Sequence, residues 1–398
     1  MSTTEHPRTG LRVLLDRIEA AAPVDAVAVA EHALATMLGA RAVRVLLVEY
    51  GGRAIVRFDR SDWEAQKSRQ RGIEHVETIE LSGTVYERVL GTQVGELSAS
   101  GTGTQVTVPV TVRGDAIGII EFSLTGSPDA QLLDDATAMG RALGYVIVAC
   151  RRYTDLFEWG QRCTPFSLAA EIQRRLLPSA LAWQAGRLSL AGWLEPAATV
   201  AGDTFDYSLD RHTLHISISD AVGHDVHAAL LATVFVSSLR NARRRGATLL
   251  EQARTANDAL AAHSALGEFV TGQLIRIDLE SGAATVINAG HPLPLRLRGG
   301  CVDELDLDID IPFGLYPGRE FRLQHFQLEP DDRVLFVTDG VLDRNSDQVA
   351  APEVLRRTAH RPPRDVVRQL GDAVLHAMQG NLADDCTMLC LDWYPACG

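Results

Sequence analysis

The run His215-Ile216-Ser217-Ile218-Ser219-Asp220-Ala221-Val222-Gly223-His224 decides how the second half of the chain is read. Its apolar–polar alternation is that of a half-buried strand, and it closes on a carboxylate, a small residue and a glycine. Two other stretches share this context. Val334-Leu335-Phe336-Val337-Thr338-Asp339-Gly340 ends an apolar strand on Asp339, and Asp384-Asp385 immediately precedes the apolar run Cys386-Thr387-Met388-Leu389-Cys390-Leu391. A fourth, Gly202-Asp203-Thr204-Phe205-Asp206, lies just after a strand and before a hairpin. An aspartate at a strand end can project off the sheet edge while ladder bonds hold its backbone. Taken singly, each is an ordinary turn residue. Together they point to one site, where converging carboxylates would repel one another unless a cation neutralised them. Oxygen donors without His or Cys suit a hard ion, Mg²⁺ or Mn²⁺.

Outward from these motifs, residues 184–398 read as one domain. Strands are expected at 188–195, 213–219, 269–279, 283–288, 294–297, 333–338 and 386–391, with Glu280-Ser281-Gly282 as a hairpin turn. Helical periodicity marks 226–245, 249–263 and 364–378. Many mostly antiparallel strands with a few long helices give an α+β layered sandwich.

The first region, about 10–150, begins with an apolar-periodic helix that Asp25 precedes and Gly39 closes. Strands are expected at 43–50 and 54–58 around a Gly51-Gly52 turn. A second hairpin pairs 106–112 with 116–124, so Arg113-Gly114-Asp115 is a turn and not an adhesion motif. A helix at 131–152 follows. Residues 151–183 read as a helical linker in which Thr164-Pro165 starts a helix. There Leu168, Ile172 and Leu176 fall at i, i+4 and i+8. That stripe has two readings, a helix resting on its own domain or the seam of a homodimer.

Composition bounds the function. The 398 residues suit two or three domains, at ~150 residues each. They are 46% apolar and 22% charged, an ordinary globular balance. With 51 acidic against 38 basic residues the net charge is −13, which argues against nucleic acid as a partner. Cys150, Cys163, Cys301, Cys386, Cys390 and Cys397 form no CxxC pair and have no His at zinc-ligand spacing. Free thiols in a reducing compartment follow. The polar N-terminus and the lack of an apolar run near ~20 residues lead to the expectation of a cytoplasmic protein with no membrane span.

The ordered stretches Val200-Ala201-Gly202-Asp203-Thr204-Phe205-Asp206, Asp220-Ala221-Val222-Gly223-His224, Asn288-Ala289-Gly290-His291-Pro292, Thr338-Asp339-Gly340 and Asp384-Asp385-Cys386-Thr387 resemble the motif series of bacterial PPM-type serine/threonine phosphatases of the stage II sporulation phosphatase E (SpoIIE) family. Pro312-Phe313-Gly314-Leu315 and Ile172-Gln173-Arg174-Arg175-Leu176-Leu177-Pro178 add to the likeness, which spans about 165–393. It implies a PPM-type layered β-sandwich flanked by helices, holding two Mn²⁺ or Mg²⁺ ions. Asp220 would bridge them, the Ala221 carbonyl would bind one, Asp339 and Asp384 would complete the ligation, and Asp203 would ligate directly or through water. Asp206, Asp385 and His224 are outer candidates that orient ligands, with His224 also a candidate proton donor to the leaving group. For His291 a structural hydrogen bond is expected.

The implied activity is hydrolysis of phosphoserine or phosphothreonine on a regulatory protein, such as an anti-sigma-factor antagonist. No Cx₅R nucleophile loop is present to suggest a phospho-enzyme. Ala221 stands where many relatives have Gly, and Asp225 where a small residue is usual. The pattern of the first region resembles a GAF-like α/β/α sensor of unknown ligand. Two other classes stay open: a catalytically silent GAF-driven signalling module, and a metal-dependent nucleotide hydrolase. The nucleotide reading lacks a G-x-x-x-x-G-K-[ST] loop.

Overall fold

The computed structural model describes residues 7–58, 76–100, 103–125, 130–162, 166–195, 202–263, 265, 267–342, 349–379, 382 and 384–395. The chain divides into two compact units, Met1–Pro165 and Phe166–Gly398.

The first unit runs α1 (Pro7–Glu19), α2 (Ala26–Leu38), β1 (Arg41–Val48), β2 (Ala54–Phe58), β3 (Val76–Glu80), α3 (Val85–Thr92), β4 (Glu96–Ser100), β5 (Gly103–Val112), β6 (Asp115–Thr125), α4 (Ala130–Cys150) and α5 (Leu156–Gly160). Its strands form one antiparallel sheet in the order β3-β2-β1-β6-β5-β4. One face packs Val45, Leu47, Val108, Ile120 and Phe122 with Leu14, Leu34 and Leu143 of the helices. The other packs Leu46, Ile55 and Ile119 with Val89 and Leu90 of α3.

The hairpin turn between β5 and β6 has both Arg113 (φ 51°) and Gly114 (φ 79°) left-handed. That conformation matches the strand twist, and the Arg-Gly-Asp triplet is accordingly a turn. Gly39 ends α2 at φ 59° as expected, whereas Asp25 makes no side-chain cap. Helices α1 and α3 and strands β3 and β4 are not among the elements expected from sequence.

The second unit runs α6 (Leu168–Leu176), β7 (Ala182–Ala185), β8 (Leu188–Glu195), β9 (Thr204–Leu209), β10 (Thr213–Ala221), α7 (Asp225–Arg244), α8 (Leu249–His263), β11 (Val270–Asp278), β12 (Ala283–Ala289), β13 (Leu295–Arg298), β14 (Cys301–Glu304), β15 (Gln324–Gln327), β16 (Asp332–Val337), α9 (Asp339–Leu342), α10 (Ala351–Arg357), α11 (Pro363–Ala377) and β17 (Cys386–Trp393). Two sheets form, ordered β15-β12-β11-β10-β9 and β14-β13-β16-β17-β8-β7. Between them lies a core of Leu190, Phe205, Ile216, Ile218, Ile275, Val286, Phe336, Leu389 and Trp393. On the outside, α7 and α8 pack on the first sheet through Phe235, Leu239 and Leu260. Helices α10 and α11 pack on the second through Leu355, Leu370 and Val374.

This is the expected α+β layered sandwich flanked by helices. It adds β7, β9, β14 and β15, which are short or sheet-edge strands, to those read from sequence. Cys386 and Cys390 are buried free thiols on β17. Among the described residues no helix is long and apolar enough to cross a membrane.

The segment 151–183 is shared between the units: α5 falls in the first and α6 in the second. Thr164-Pro165 lies outside the described residues. Helix α6 starts instead at Ser167, whose hydroxyl accepts from Ala170 N at 3.1 Å. Its buried face is Ala169, Ala170, Gln173 and Leu176, rotated from the expected Leu168–Ile172–Leu176 stripe. Leu168 itself is two-thirds exposed.

Arg333 of β16 is buried and shows what holds the second sheet to its outer helices. It pairs with Asp392 at 2.6 and 2.7 Å and donates to the carbonyls of Thr358 and Arg361. Arg333→Ala strips the paired cation from the buried Asp392 carboxylate, which keeps only the long Tyr394 hydroxyl bond at 3.3 Å, and takes the guanidinium donor from both carbonyls. It is expected to cost about 3–5 kcal/mol, read from the denaturant midpoint.

Candidate metal centre

All four motif aspartates sit at one end of the sandwich because the strands that carry them are antiparallel neighbours. Ser219 of β10 is opposite Thr204 of β9, so the end of β10 (Asp220, Ala221) meets the start of β9 (Asp203). Val337 of β16 is opposite Met388 of β17, so the end of β16 (Asp339) meets the start of β17 (Asp384, Asp385). The two sheets then bring these ends face to face. Thr338 Oγ1 on one sheet donates to Asp203 Oδ2 on the other at 2.7 Å, and Thr387 N donates to Thr338 Oγ1 at 3.0 Å.

Two glycines allow the close approach. A Cβ on Gly202 would stand 2.3 Å from the Ala221 carbonyl oxygen and 3.0 Å from Asp220 Oδ1. A Cβ on Gly340 would stand 2.0 Å from the Asp385 carbonyl oxygen. Gly202 O in turn accepts from Ala221 N at 3.2 Å. Ala221 is an ordinary strand residue of β10 and has no positive φ, so Ala in place of Gly there is without strain. Asp225 is different: its φ of 59° is left-handed, a conformation in which a glycine would fit more easily.

The electrostatics follow from the crowding. Burial and then the charges of Asp220 and Asp385 push the Asp203 carboxyl well above the usual range. Burial and then Asp339, Asp384 and Asp385 push Asp220 up to about 7. These groups are adjacent like charges with no cationic side chain among the causes, the situation a bound cation relieves. The donors are all oxygen, and the Gly202 contact sets the Ala221 carbonyl beside Asp220. The residues therefore fit a hard divalent ion. Among the described residues no three His, Cys, Asp or Glu side chains are already closed around a single ion-sized point.

The outer candidates separate. Asp385 is buried at the centre of the cluster, accepting from Gln173 Nε2 at 2.6 Å and from Gly202 N at 3.2 Å. Asp384 is exposed, and its Oδ1 accepts from Asp385 N at 2.9 Å. Asp206 does not join the cluster. It is a strand residue of β9 that pairs with Arg240 at 2.8 Å and Arg243 at 3.2 Å, both on α7. His224 is exposed at the start of α7, where Nδ1 contacts Asp225 Oδ2 at 2.9 Å.

His291 is buried and held near pKa 3 by desolvation, hence neutral. Its Nδ1 meets Thr271 Oγ1, and its backbone closes a loop with the Asn288 side chain, as the structural reading anticipated. The Cys386 thiol, beside the carboxylates, is pushed up by burial and by Asp203, Asp385 and Asp384, so it is no thiolate nucleophile at neutral pH.

Two features escaped the sequence reading. Asn257 of α8 holds the Pro312-Phe313-Gly314-Leu315 loop by accepting from Gly314 N and donating to Tyr316 O. Gln173 of α6 reaches the carboxylates themselves. The available signal was a glutamine at the centre of an otherwise apolar helix face.

Comparisons with known proteins bear on these residues. A family model described as stage II sporulation protein E (SpoIIE) matches residues 210–394, which include Asp220, Asp339 and Asp384; Asp203 and Gln173 lie before it. The phosphoserine phosphatase RsbP of Bacillus subtilis (strain 168) is 23% identical over 181 residues, covering 44% of this chain and 44% of that protein. The phosphoserine phosphatase RsbU of the same organism is 20% identical over 230 residues, covering 56% and 68%. The chain thus spans under half the length of the first of these relatives. Among solved structures, the PP2C phosphatase domain and regulatory-domain fragment of SpoIIE from Bacillus subtilis aligns with a TM-score of 0.47 and 14% identity, covering 77% of this chain and 83% of that one. The family match thus marks residues 210–394, within the second unit of this chain, as similar to the stage II sporulation protein E (SpoIIE) family.

Proposed function

We propose that this chain is a metal-dependent protein phosphatase that hydrolyses phosphoserine or phosphothreonine on a regulatory protein. Its N-terminal unit is a GAF-like sensor that sets the activity. The observation that carries the reading is the gathering of Asp203, Asp220, Asp339 and Asp384 at one sandwich end, where Asp203 and Asp220 are driven toward protonation by burial and then by the neighbouring carboxylates. The names of RsbP and RsbU, both phosphoserine phosphatases, agree with it.

In this reading Asp220, the Ala221 carbonyl, Asp339, Asp384 and Asp203 hold two Mn²⁺ or Mg²⁺ ions. When bound, such a pair lowers the pKa of a shared water and screens the phosphoryl charge during in-line attack. The protein's own part is preorganisation. Thr338 holds the Asp203 carboxylate, Gly202 and Gly340 bring backbone carbonyls to the cluster, and two hydrogen-bonded sheets keep the carboxylates from moving apart. Direct hydrolysis is the step proposed, because the Cys386 thiol beside the carboxylates is held protonated.

The test is turnover with and without Mn²⁺ on p-nitrophenyl phosphate, a panel of phosphoserine and phosphothreonine proteins, and nucleotides. Metal-dependent release from phosphoproteins is expected. Turnover of nucleotides alone would replace the reading with that of a nucleotide hydrolase, and no turnover of any of them would favour a silent module.

A further inference from the structure

Arg151 follows α4 directly and prolongs it by one turn bond, its N–H donating to Ile147 O at 3.0 Å. Its side chain is part-buried, and Nε is shut off from solvent with no hydrogen-bond partner. Nη2 donates to Gln161 Oε1 at 3.0 Å, a neutral acceptor. Among the described residues Arg151 forms no ion pair. Burial pulls its pKa down from the usual arginine range, while Tyr50, Asp115 and Glu158 act the other way. Taking a guanidinium out of water without pairing it is costly.

Holding the fold together does not account for that charge. Gln161 is buried and already fastens the end of the sheet to the last helices of the first unit. Its Nε2 donates to Val48 O, its backbone O accepts from Tyr50 N at 3.2 Å, and its N–H donates to Phe157 O at 3.1 Å. Ile147 and Phe157 supply the apolar packing of the same junction. Gln161 Oε1 needs one donor, whereas a guanidinium brings several and a permanent charge. Carboxylates of the neighbouring segments are engaged elsewhere. Glu49 accepts from Gly51 N at 2.6 Å and Arg53 N at 2.7 Å, and Glu158 approaches Arg162 at 3.9 Å.

We infer that Arg151 is an anion site of the first unit: the unused Nε edge of its guanidinium takes a small oxyanion, a phosphate or carboxylate group, at the junction of β1, α4 and α5. The fork geometry suits such a group. Nε and one Nη lie on a single planar edge, and two oxygens of one phosphate or carboxylate match them. A bound oxyanion returns to the guanidinium the counter-charge and hydrogen bonding that burial removes. The inference stands independently of the metal-binding reading, and it gives the first unit a ligand class.

The experiment titrates the full chain, free of metal so that no anion binds through an ion, with inorganic phosphate and separately with acetate. Chloride at matched ionic strength is the baseline. Saturable binding of one of the two is expected, and the one that binds identifies the oxyanion. Arg151→Met keeps the length of the side chain and removes the fork, and the calorimetric Kd should rise about 10–100-fold. Binding of neither anion by the wild type overturns the inference, as does an equal Kd in the variant.

Hydrogen exchange on the wild type decides the matter even where the variant fails to fold. The saturating anion should increase protection of the Tyr50 and Gln161 amides, whose bonds close the junction. Unchanged protection at both overturns the assignment to Arg151.

Discussion

Asp220→Asn is expected to make the metal-free protein more stable while removing Mn²⁺-dependent hydrolysis. The two effects have one cause. Burial and the charges of Asp339, Asp384 and Asp385 raise the Asp220 carboxyl from 3.8 to about 7. A group bound more tightly by protons in the folded state costs stability once it is forced to ionise. The penalty is absent below the unfolded value, near pH 4, grows as pH rises, and is complete above the folded value, near pH 7.

Wild-type apo protein should therefore lose thermal stability between pH 5 and 8. The Asn variant should lose less and melt several degrees higher at pH 8. Saturating Mn²⁺ should reverse the order, because binding to the folded state alone stabilises it. Hydrolysis should fall about 1,000-fold or more, since several kcal/mol of transition-state charge stabilisation is removed. Melting curves at pH 5 and 8 with and without Mn²⁺, beside a turnover assay, check both halves. Metal-dependent turnover that survived the substitution would remove Asp220 from the centre.

Gly202→Ala is expected to disrupt the proposed centre with a single methyl. Its Cβ would lie 2.3 Å from the Ala221 carbonyl oxygen, well inside contact distance. The obstacle cannot rotate away. Ala221 is the last residue of β10, paired with Val270, and its N–H is bonded back to Gly202 O. Either the 202–203 segment or the β10 end must shift, and both carry proposed ligands.

Overpacking of this kind costs about 1–3 kcal/mol. A displacement of about 1 Å at a reacting site costs about 100-fold in rate. The expected result is a folded protein with a lower denaturant midpoint, weaker Mn²⁺ binding and turnover down about 100-fold or more. Near-wild-type binding and turnover would show that Gly202 is dispensable for the site. Gly186→Ala is the contrast: Gly202 is not left-handed, whereas Gly186, at φ 57°, would be strained by an alanine although nothing lies within 4 Å of its Cβ, so its cost should appear in stability and not in Mn²⁺ binding.

The elements legible in the sequence were those with strong periodicity and clear ends. Helix α8 was read to the residue, and β10, β11, β12, β16 and β17 to within one or two. Strands β16 and β17 are buried on both faces and their apolar content declares them, while β10 is declared by its alternation. Strands β7, β14 and β15 are only four residues long, and β9 opens on the Asp203 motif, so its polar start looked like a turn. The α6 stripe was misplaced because Leu168 and Ile172 are more hydrophobic than Ala169 and Ala170. The close helix–helix approach favours the alanines, and size, not hydrophobicity, chose the face.

Among site residues, motif position located Asp203, Asp220, Asp339 and Asp384, yet it could not rank their neighbours. Asp206 and Asp385 looked alike as second carboxylates of short acidic motifs. Asp206 sits three residues beyond Asp203 in β9 and meets the arginines of α7; Asp385 sits where two sheet ends meet and turns inward.

What the amino-acid order determined by itself was local: which segments are strands, where each ends, and that each end carries an oxygen donor beside a small residue. What only the tertiary structure decided was who meets whom. Antiparallel pairing put β10 beside β9 and β16 beside β17, and face-to-face stacking of the sheets brought their ends into one place. The same stacking drew in Gln173 from a helix 30 residues before Asp203 and 212 before Asp385. Strand ends follow from side-chain periodicity over a few residues, whereas convergence depends on burying two sheet faces at once, a property of the whole sandwich that no local stretch contains.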